Sequence, residues 1–193
     1  MKSICVFCGS SSGEGVKHLI AAQALGKIIA KNDITLVYGG GNMGIMGEIA
    51  NSVLKYNGKV IGVIPENLVV REAALKDVTE LKIVKSMHER KALMSDLSDG
   101  FIAMSGGIGT LEEFFEVWTW AQLGIHSKPI GLLNTDNYFT KLIEFVKDGV
   151  TSKFIKNENL DMIIIDDEPE NLVLRMKDFK PVPVKQWINK EDI

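Results

Sequence analysis

Ile34-Thr-Leu-Val-Tyr-Gly-Gly-Gly-Asn-Met-Gly-Ile-Met-Gly-Glu-Ile-Ala-Asn-Ser-Val-Leu-Lys55 reads as three pieces in a row. Ile34 to Tyr38 is a short β-rich run with no polar face, a glycine turn follows, and Gly44 to Lys55 carries its apolar residues at helical spacing. A strand that is apolar on both faces belongs inside a sheet covered on both sides. A helix that follows it at once supplies that cover.

The pattern repeats outward in both directions. Ile4 to Phe7, Val60 to Ile64, Gly100 to Met104, Pro129 to Leu133 and Met162 to Ile165 read as further buried strands. Helical patterns separate them at Val16 to Ala30, Met87 to Leu97, Leu111 to Leu123, Tyr138 to Asp148 and Glu168 to Phe179. Parallel strands need crossovers, and right-handed crossovers place helices on both faces. The expectation is an α/β, Rossmann-like, doubly wound and mainly parallel sheet forming a single domain over 1–193. Lys82 to Lys85 reads equally as a short strand or a loop. The tail from Pro181 to Trp187 is extended by its prolines and is expected to pack across the body or a partner subunit.

Of the 193 residues, 46% are hydrophobic and 24% charged, which is the balance of a globular chain and excludes low-complexity and disordered classes. Twenty-two Lys and Arg against 25 Asp and Glu give a net charge of −3, so there is no global attraction for nucleic acid or an anionic membrane. Any phosphate site must be built locally. Apolar stretches such as Met162 to Ile165 are far below the ~20 residues of a spanning helix. Ile4 to Phe7 is too short for a signal-peptide core. A cytoplasmic location is expected.

Cys5 and Cys8 form a C-x-x-C, but no second Cys or His pair completes a zinc site, and Cys5 lies within a strand rather than at a helix N-terminus. Two small buried residues on opposite strand faces are the preferred reading, and no metal is expected.

The eighteen glycines are not spread evenly, and half of them cluster after strands, in Gly9 to Gly13, Gly39 to Gly44 and Gly106 to Thr110. Ligands of open α/β sheets bind beyond the carboxyl ends of strands, so these turns should converge on one crevice. Gly39 to Gly44 satisfies G-x-G-x-x-G, yet it follows the second strand rather than the first, and a tight turn that lets the helix pack closely is preferred over a dinucleotide site. No G-x-x-x-x-G-K-[ST] occurs. Ser105-Gly-Gly-Ile-Gly-Thr-Leu-Glu-Glu113 can turn backbone N–H groups and a helix N-terminus toward an anion. Thr110-Leu-Glu-Glu113 also has the spacing of a capping box, so Glu113 reads either as a helix cap or as a catalytic carboxylate.

Arg90 and Lys91 open a helix with charge that opposes the macrodipole, which points to an anionic ligand or to a solvated surface pair. Phe114, Phe115, Val117, Trp118 and Trp120 make an apolar stripe suited to core or to a homodimer seam.

Cys8-Gly-Ser-Ser, Tyr38-Gly-Gly-Gly-Asn-Met-Gly-Ile-Met-Gly47, Met87-His-Glu-Arg-Lys91, Ser105-Gly-Gly-Ile-Gly-Thr-Leu-Glu-Glu113 and Trp120-Ala-Gln-Leu-Gly-Ile-His126 together resemble the LOG (LONELY GUY) family. The motifs agree in order and spacing to about Tyr138. Its members are cytokinin riboside 5′-monophosphate phosphoribohydrolases, long labelled possible lysine decarboxylases. The resemblance implies cleavage of the N-glycosidic bond of a nucleoside monophosphate to free base and ribose 5-phosphate, without a cofactor. It implies Arg90 and Glu113 as the catalytic pair. Lys91, Gly106, Gly107, Ile108, Gly109, Thr110 and Thr119 correspond to nucleotide-binding positions, Glu72 to a base or ribose contact, and Ser10 and Gly41 to pocket walls. The family's glycine turn usually opens on proline, where this chain has Ser105. A binding or sensing protein with the same pocket and no turnover is the alternative. Pyridoxal-dependent decarboxylation would need a Schiff-base lysine, and nothing in the sequence singles one out.

Overall fold

Seven strands lie side by side in the computed structural model, which describes residues 1–187. They are β1 (Ser3–Phe7), β2 (Thr35–Tyr38), β3 (Val60–Pro65), β4 (Glu80–Val84), β5 (Phe101–Ala103), β6 (Ile130–Leu133) and β7 (Ile163–Asp166), every pair is parallel, and the order is β4-β3-β2-β1-β5-β6-β7. The expected doubly wound sheet is present, with one strand more than the six read from apolar runs. The ambiguous segment is the outermost strand: no residue of β4 is fully buried, and Glu80 and Ile83 are exposed, because the edge covers it only partly. That is why an apolar-run criterion misses it.

The helices are α1 (Lys17–Lys31), α2 (Gly44–Lys55), α3 (Met87–Asp96), α4 (Ile108–Gln122), α5 (Thr140–Thr151), α6 (Asn157–Leu160) and α7 (Pro169–Lys177). α1, α2 and α7 share one apolar core with residues such as Ile4, Val6 and Leu36, and α3 to α6 cover the other face over Cys5, Phe7 and Val37. Cys5 and Cys8 fall in opposite cores, both buried and unpaired, and burial holds both thiols well above their usual range. Among the described residues no helix is long and apolar enough to cross a membrane.

One expectation about α4 changes and another narrows. The helix starts at Ile108 with Gly107 as its N-cap, so Thr110 sits inside the first turn and the Thr110–Glu113 capping box does not form. Its aromatic stripe is mainly core: Phe114, Val117 and Trp118 are buried, and the Trp118 indole donates to the Asn159 carbonyl at 2.9 Å. Phe115 faces outward. The tail follows the body, with the Trp187 N–H donating to the Leu123 carbonyl just past α4.

The chain leaves β1 toward β2 on one side and returns to β5 on the other, which makes the carboxyl ends of β1 and β5 the topological switch point. There the Gly9 N–H donates to the Ser105 carbonyl at 3.0 Å, and the first and third glycine turns touch.

Candidate active site

Arg90 carries the site's positive charge, and it is 5% exposed rather than solvated. α3 places it under the ends of two strands: Nε donates to the Val63 carbonyl at 3.2 Å and Nη2 to the Gly39 carbonyl at 2.8 Å. Nη1 donates to Met87 Sδ at 3.8 Å, and a guanidinium held at all three nitrogens keeps its plane. Space for it exists because residue 39 is glycine, since a Cβ there would collide with Nη2.

Glu72 lies across the guanidinium, with Oε2 3.7 Å from Nη2. It arrives on the long connection between β3 and β4, which is stitched to the second glycine turn by Asn42 N–H to Glu72 carbonyl (3.1 Å), by Leu75 N–H to Gly40 carbonyl (3.0 Å) and by an isolated Gly41–Ala74 bridge. Oε2 is buried and has no hydrogen-bond donor among the described residues. Gly41 does wall this corner, because a Cβ on it would meet Glu72 at 3.2 Å.

Glu113 enters from α4. Burial, the largest influence, raises its pKa to about 7, Arg90 opposes the rise, Glu112 adds to it, Lys91 opposes it, and Glu72 again adds to it. Its charge is also felt by Cys8 at the end of β1. A carboxyl group that is half-protonated near neutrality beside a fixed guanidinium is a group poised to exchange protons.

The third turn differs from its surroundings in what it leaves open. Gly106 is required by packing, because a Cβ would meet Thr110 Oγ1 and the backbone N of Gly9. At Gly107 and Gly109 a Cβ would meet nothing within 4 Å. No side chain caps α4, so the N–H groups of its first turn at Ile108, Gly109 and Thr110 face the crevice mouth without a capping partner. Ser10 stands opposite, where a Cβ on Gly44 would come within 2.5 Å of its backbone.

A family model described as "Possible lysine decarboxylase" matches residues 46–176. Over 180 residues the chain is 47% identical to the cytokinin riboside 5′-monophosphate phosphoribohydrolase LOG1 of Arabidopsis thaliana, an alignment that spans 93% of this chain and 84% of that relative. Over 177 residues it is 43% identical to a protein named cytokinin riboside 5′-monophosphate phosphoribohydrolase from Rhodococcoides fascians, spanning 91% and 89%. The chain belongs to the LOG family. A solved structure with the same fold is the molybdenum cofactor binding protein of Rippkaea orientalis, at a TM-score of 0.69 and 24% identity over 92% of this chain and 97% of that one.

Within this LOG-family chain, Arg90, Glu113, Glu72 and Gly41 come together, with Gly106 to Thr110 and Ser10 at the mouth. Lys91 and Thr119 do not join them. Lys91 turns toward α4 and pairs with Glu112 at 2.5 Å and Glu116 at 2.8 Å. It borders a cavity of about 730 Å³ between α3 and α4 that includes neither Arg90 nor Glu113. Thr119 is exposed almost two turns beyond Glu113. The lysine chemistry does not fit a pyridoxal aldimine either: burial works against the charge on Lys91, yet its two carboxylate partners prevail and raise its pKa, the reverse of what a Schiff-base amine needs.

Sequence reasoning missed the partners that hold Arg90, the carbonyls of Gly39 and Val63. Backbone acceptors carry no residue signature. It also missed the cap of α3, where Ser86 Oγ accepts from the Glu89 N–H at 3.1 Å and the Glu89 carboxylate accepts from the Lys85 N–H at 2.7 Å. Ser86-Met-His-Glu89 was legible as a capping signal.

Proposed function

We propose that the protein hydrolyses the N-glycosidic bond of N6-modified adenosine 5′-monophosphate, releasing the free base and ribose 5-phosphate, a reading supported by relatives named cytokinin riboside 5′-monophosphate phosphoribohydrolase. The observation that carries the reading is the combination of an uncapped helix start with two glycines whose missing side chains face open space, beside the buried Arg90 and the half-buried Glu72 and Glu113.

The 5′-phosphate sits against the N–H groups of Ile108, Gly109 and Thr110, where the helix dipole favours an anion and Gly107 and Gly109 allow close approach. That remote anchor fixes the ribose in the crevice. The Glu72 oxygen that faces Arg90 but receives no hydrogen bond from the described residues accepts from ribose hydroxyls. As the glycosidic bond lengthens, its electron pair leaves with the base and positive charge grows on the sugar. The Glu113 carboxylate stabilises that charge, orients the attacking water and takes up its proton, and a proton passed on to the departing base yields the neutral base and restores the carboxylate. Arg90 holds phosphate or ribose through its planar fork. Lys91 acts on the substrate indirectly, as the counter-charge that anchors α3 to α4.

The protein works as a homodimer in this reading, because Ile108, Phe115 and Thr119 form an outward row on α4 and Ile108 is 87% exposed. Sedimentation equilibrium showing only a 21.3 kDa species would defeat that part. Two reduced, unpaired thiols support a cytoplasmic location.

Chromatographic assay of base release from isopentenyl-AMP, AMP, GMP and CMP tests the whole. Release from the adenine nucleotides is expected, with the prenylated one preferred. Tight binding of AMP without release of base would replace the hydrolase with a sensor.

A further inference from the structure

Ser105 ends the strand-to-turn connection after β5, and its side chain is engaged. Its Oγ shares a 2.9 Å hydrogen bond with His18 Nδ1, although the two residues lie on different sides of the switch point, and Ser105 is only 5% exposed. His18 is itself confined. Gly13 lies against the ring, where a Cβ would be 3.4 Å from Cδ2, and Tyr138 stands edge-on to it with centroids 5.7 Å apart. The same Tyr138 donates its hydroxyl to the carbonyl of Gly106 at 2.5 Å. The Ser105 carbonyl accepts from Gly9 N–H. Consecutive residues at the entry of the third glycine turn are therefore held from two flanks, by α1 through Ser105 and by the segment before α5 through Gly106.

The entry is where covalent stiffness is missing. A proline at 105 would fix φ near −65°, whereas serine leaves it soft. The N–H groups at the start of α4 can point at a phosphate only if the turn enters α4 along one path, and a turn free to sample several paths must be ordered when ligand binds. Side-chain hydrogen bonds can supply that order in place of a ring.

We propose that Ser105 and His18 are a positioning pair for the substrate's 5′-phosphate, acting through the entry of the Gly106–Thr110 turn rather than by touching the ligand. The inference rests on the proposed phosphate site. It adds two residues that set affinity without taking part in bond cleavage.

The test uses Ser105→Ala, His18→Ala, the double variant, and His18→Ala placed in a Ser105→Pro background. Readouts are steady-state kinetics with isopentenyl-AMP and calorimetric binding of ribose 5-phosphate. Each alanine variant should raise KM and weaken ribose 5-phosphate binding about three- to tenfold, the range of one net hydrogen bond, while kcat falls by less. The double variant should be no worse than either single one, and Ser105→Thr, which keeps the hydroxyl, should bind like the wild type. With proline at 105, replacing His18 should have little further effect.

Additive losses in the double variant, an unmoved KM, or a His18→Ala defect that persists beside Ser105→Pro would overturn the pair, the last by showing that the imidazole meets the ligand directly. Wild-type protein that binds no ribose 5-phosphate would overturn it too. Protein that binds ribose 5-phosphate but releases no base defeats the hydrolase reading alone, because the binding data still decide the pair.

Discussion

The second and third glycine turns look alike in sequence and are used in opposite ways. In the second, the protein fills the space that each missing side chain leaves: Arg90 at Gly39, Ile64 at Gly40, Glu72 at Gly41, and the Ser10–Ser11 backbone at Gly44, where φ is also +54°. In the third, packing accounts for Gly106 only, and Gly107 and Gly109 border open space. A glycine that the fold requires and a glycine that a ligand requires are indistinguishable as letters. What separates them is what a Cβ would strike. The second turn builds the walls and seats the guanidinium, and the third receives the anion.

The largest test of this division is Glu113→Gln, which removes the acid–base group but leaves both turns intact. Base release should fall by about 10²- to 10⁴-fold. Stability should move the other way. A carboxyl whose pKa is raised on folding, here from 4.5 to about 7, binds more protons folded than unfolded between those values, so folding stability falls as pH rises through that window. Glutamine removes that loss, and the variant should be more stable than wild type by about 1–3 kcal/mol at pH 8 and similar to it at pH 4. Thermal melts at the two pH values check this, and a uniformly less stable variant would return Glu113 to a capping role. In the wild type, kcat/KM should rise with pH through about 7 as the carboxylate forms.

Next in size is Gly39→Ala. The new methyl group meets Arg90, so the guanidinium must leave the Gly39 carbonyl, and activity should drop about 100-fold, with about 1–3 kcal/mol lost to overpacking. Gly109→Ala puts the same methyl group into the third turn and should do the reverse to the fold. Alanine in the first turn of α4 gains a few tenths to about 1 kcal/mol of helix propensity, while KM rises about three- to tenfold because the ligand loses room. Urea unfolding and kinetics on this pair of variants read out the contrast directly. Two alanines that behave alike would erase it.

Much of this architecture was legible in the residues. Apolar runs alternating with amphipathic ones gave the parallel sheet, because strands covered on both faces have no polar face to confuse the pattern. Glu80 to Val84 stayed undecided, with Lys82 to Lys85 reading as strand or loop, because an edge strand needs no such cover. The clustering of glycines after strands located the crevice, and the family resemblance, where spacing alone left Glu113 open between a cap and a catalytic role, brought Arg90 and Glu113 to it. Legibility stopped where chemistry is supplied by backbone or by direction. The carbonyls that pin Arg90 have no side chain to read. Lys91, adjacent to Arg90 in the chain, points elsewhere because successive helical residues diverge by about 100°.

The two capping signals show the same limit at its smallest energetic scale. Ser86-Met-His-Glu89 and Thr110-Leu-Glu-Glu113 share the spacing, but only the first has a start that makes its serine the N-cap, with extended backbone at φ −143° and ψ 164°. In the second, α4 begins two residues before Thr110 because Gly107 already turns the chain, which leaves Thr110 buried in the first turn and sends Glu113 inward to the site. Ser86→Ala should therefore cost about 0.5–2 kcal/mol of stability, seen as a lower urea midpoint at unchanged slope. Because α3 carries Arg90 one turn from this cap, a modest fall in kcat/KM should accompany it. Thr79→Ala, which removes the 3.0 Å hydrogen bond from the Val60 N–H at the amino end of β3, the end of the sheet opposite the site, should leave kcat/KM unchanged, and an equal fall there would show that lost stability alone, rather than the frayed start of α3, slows the enzyme.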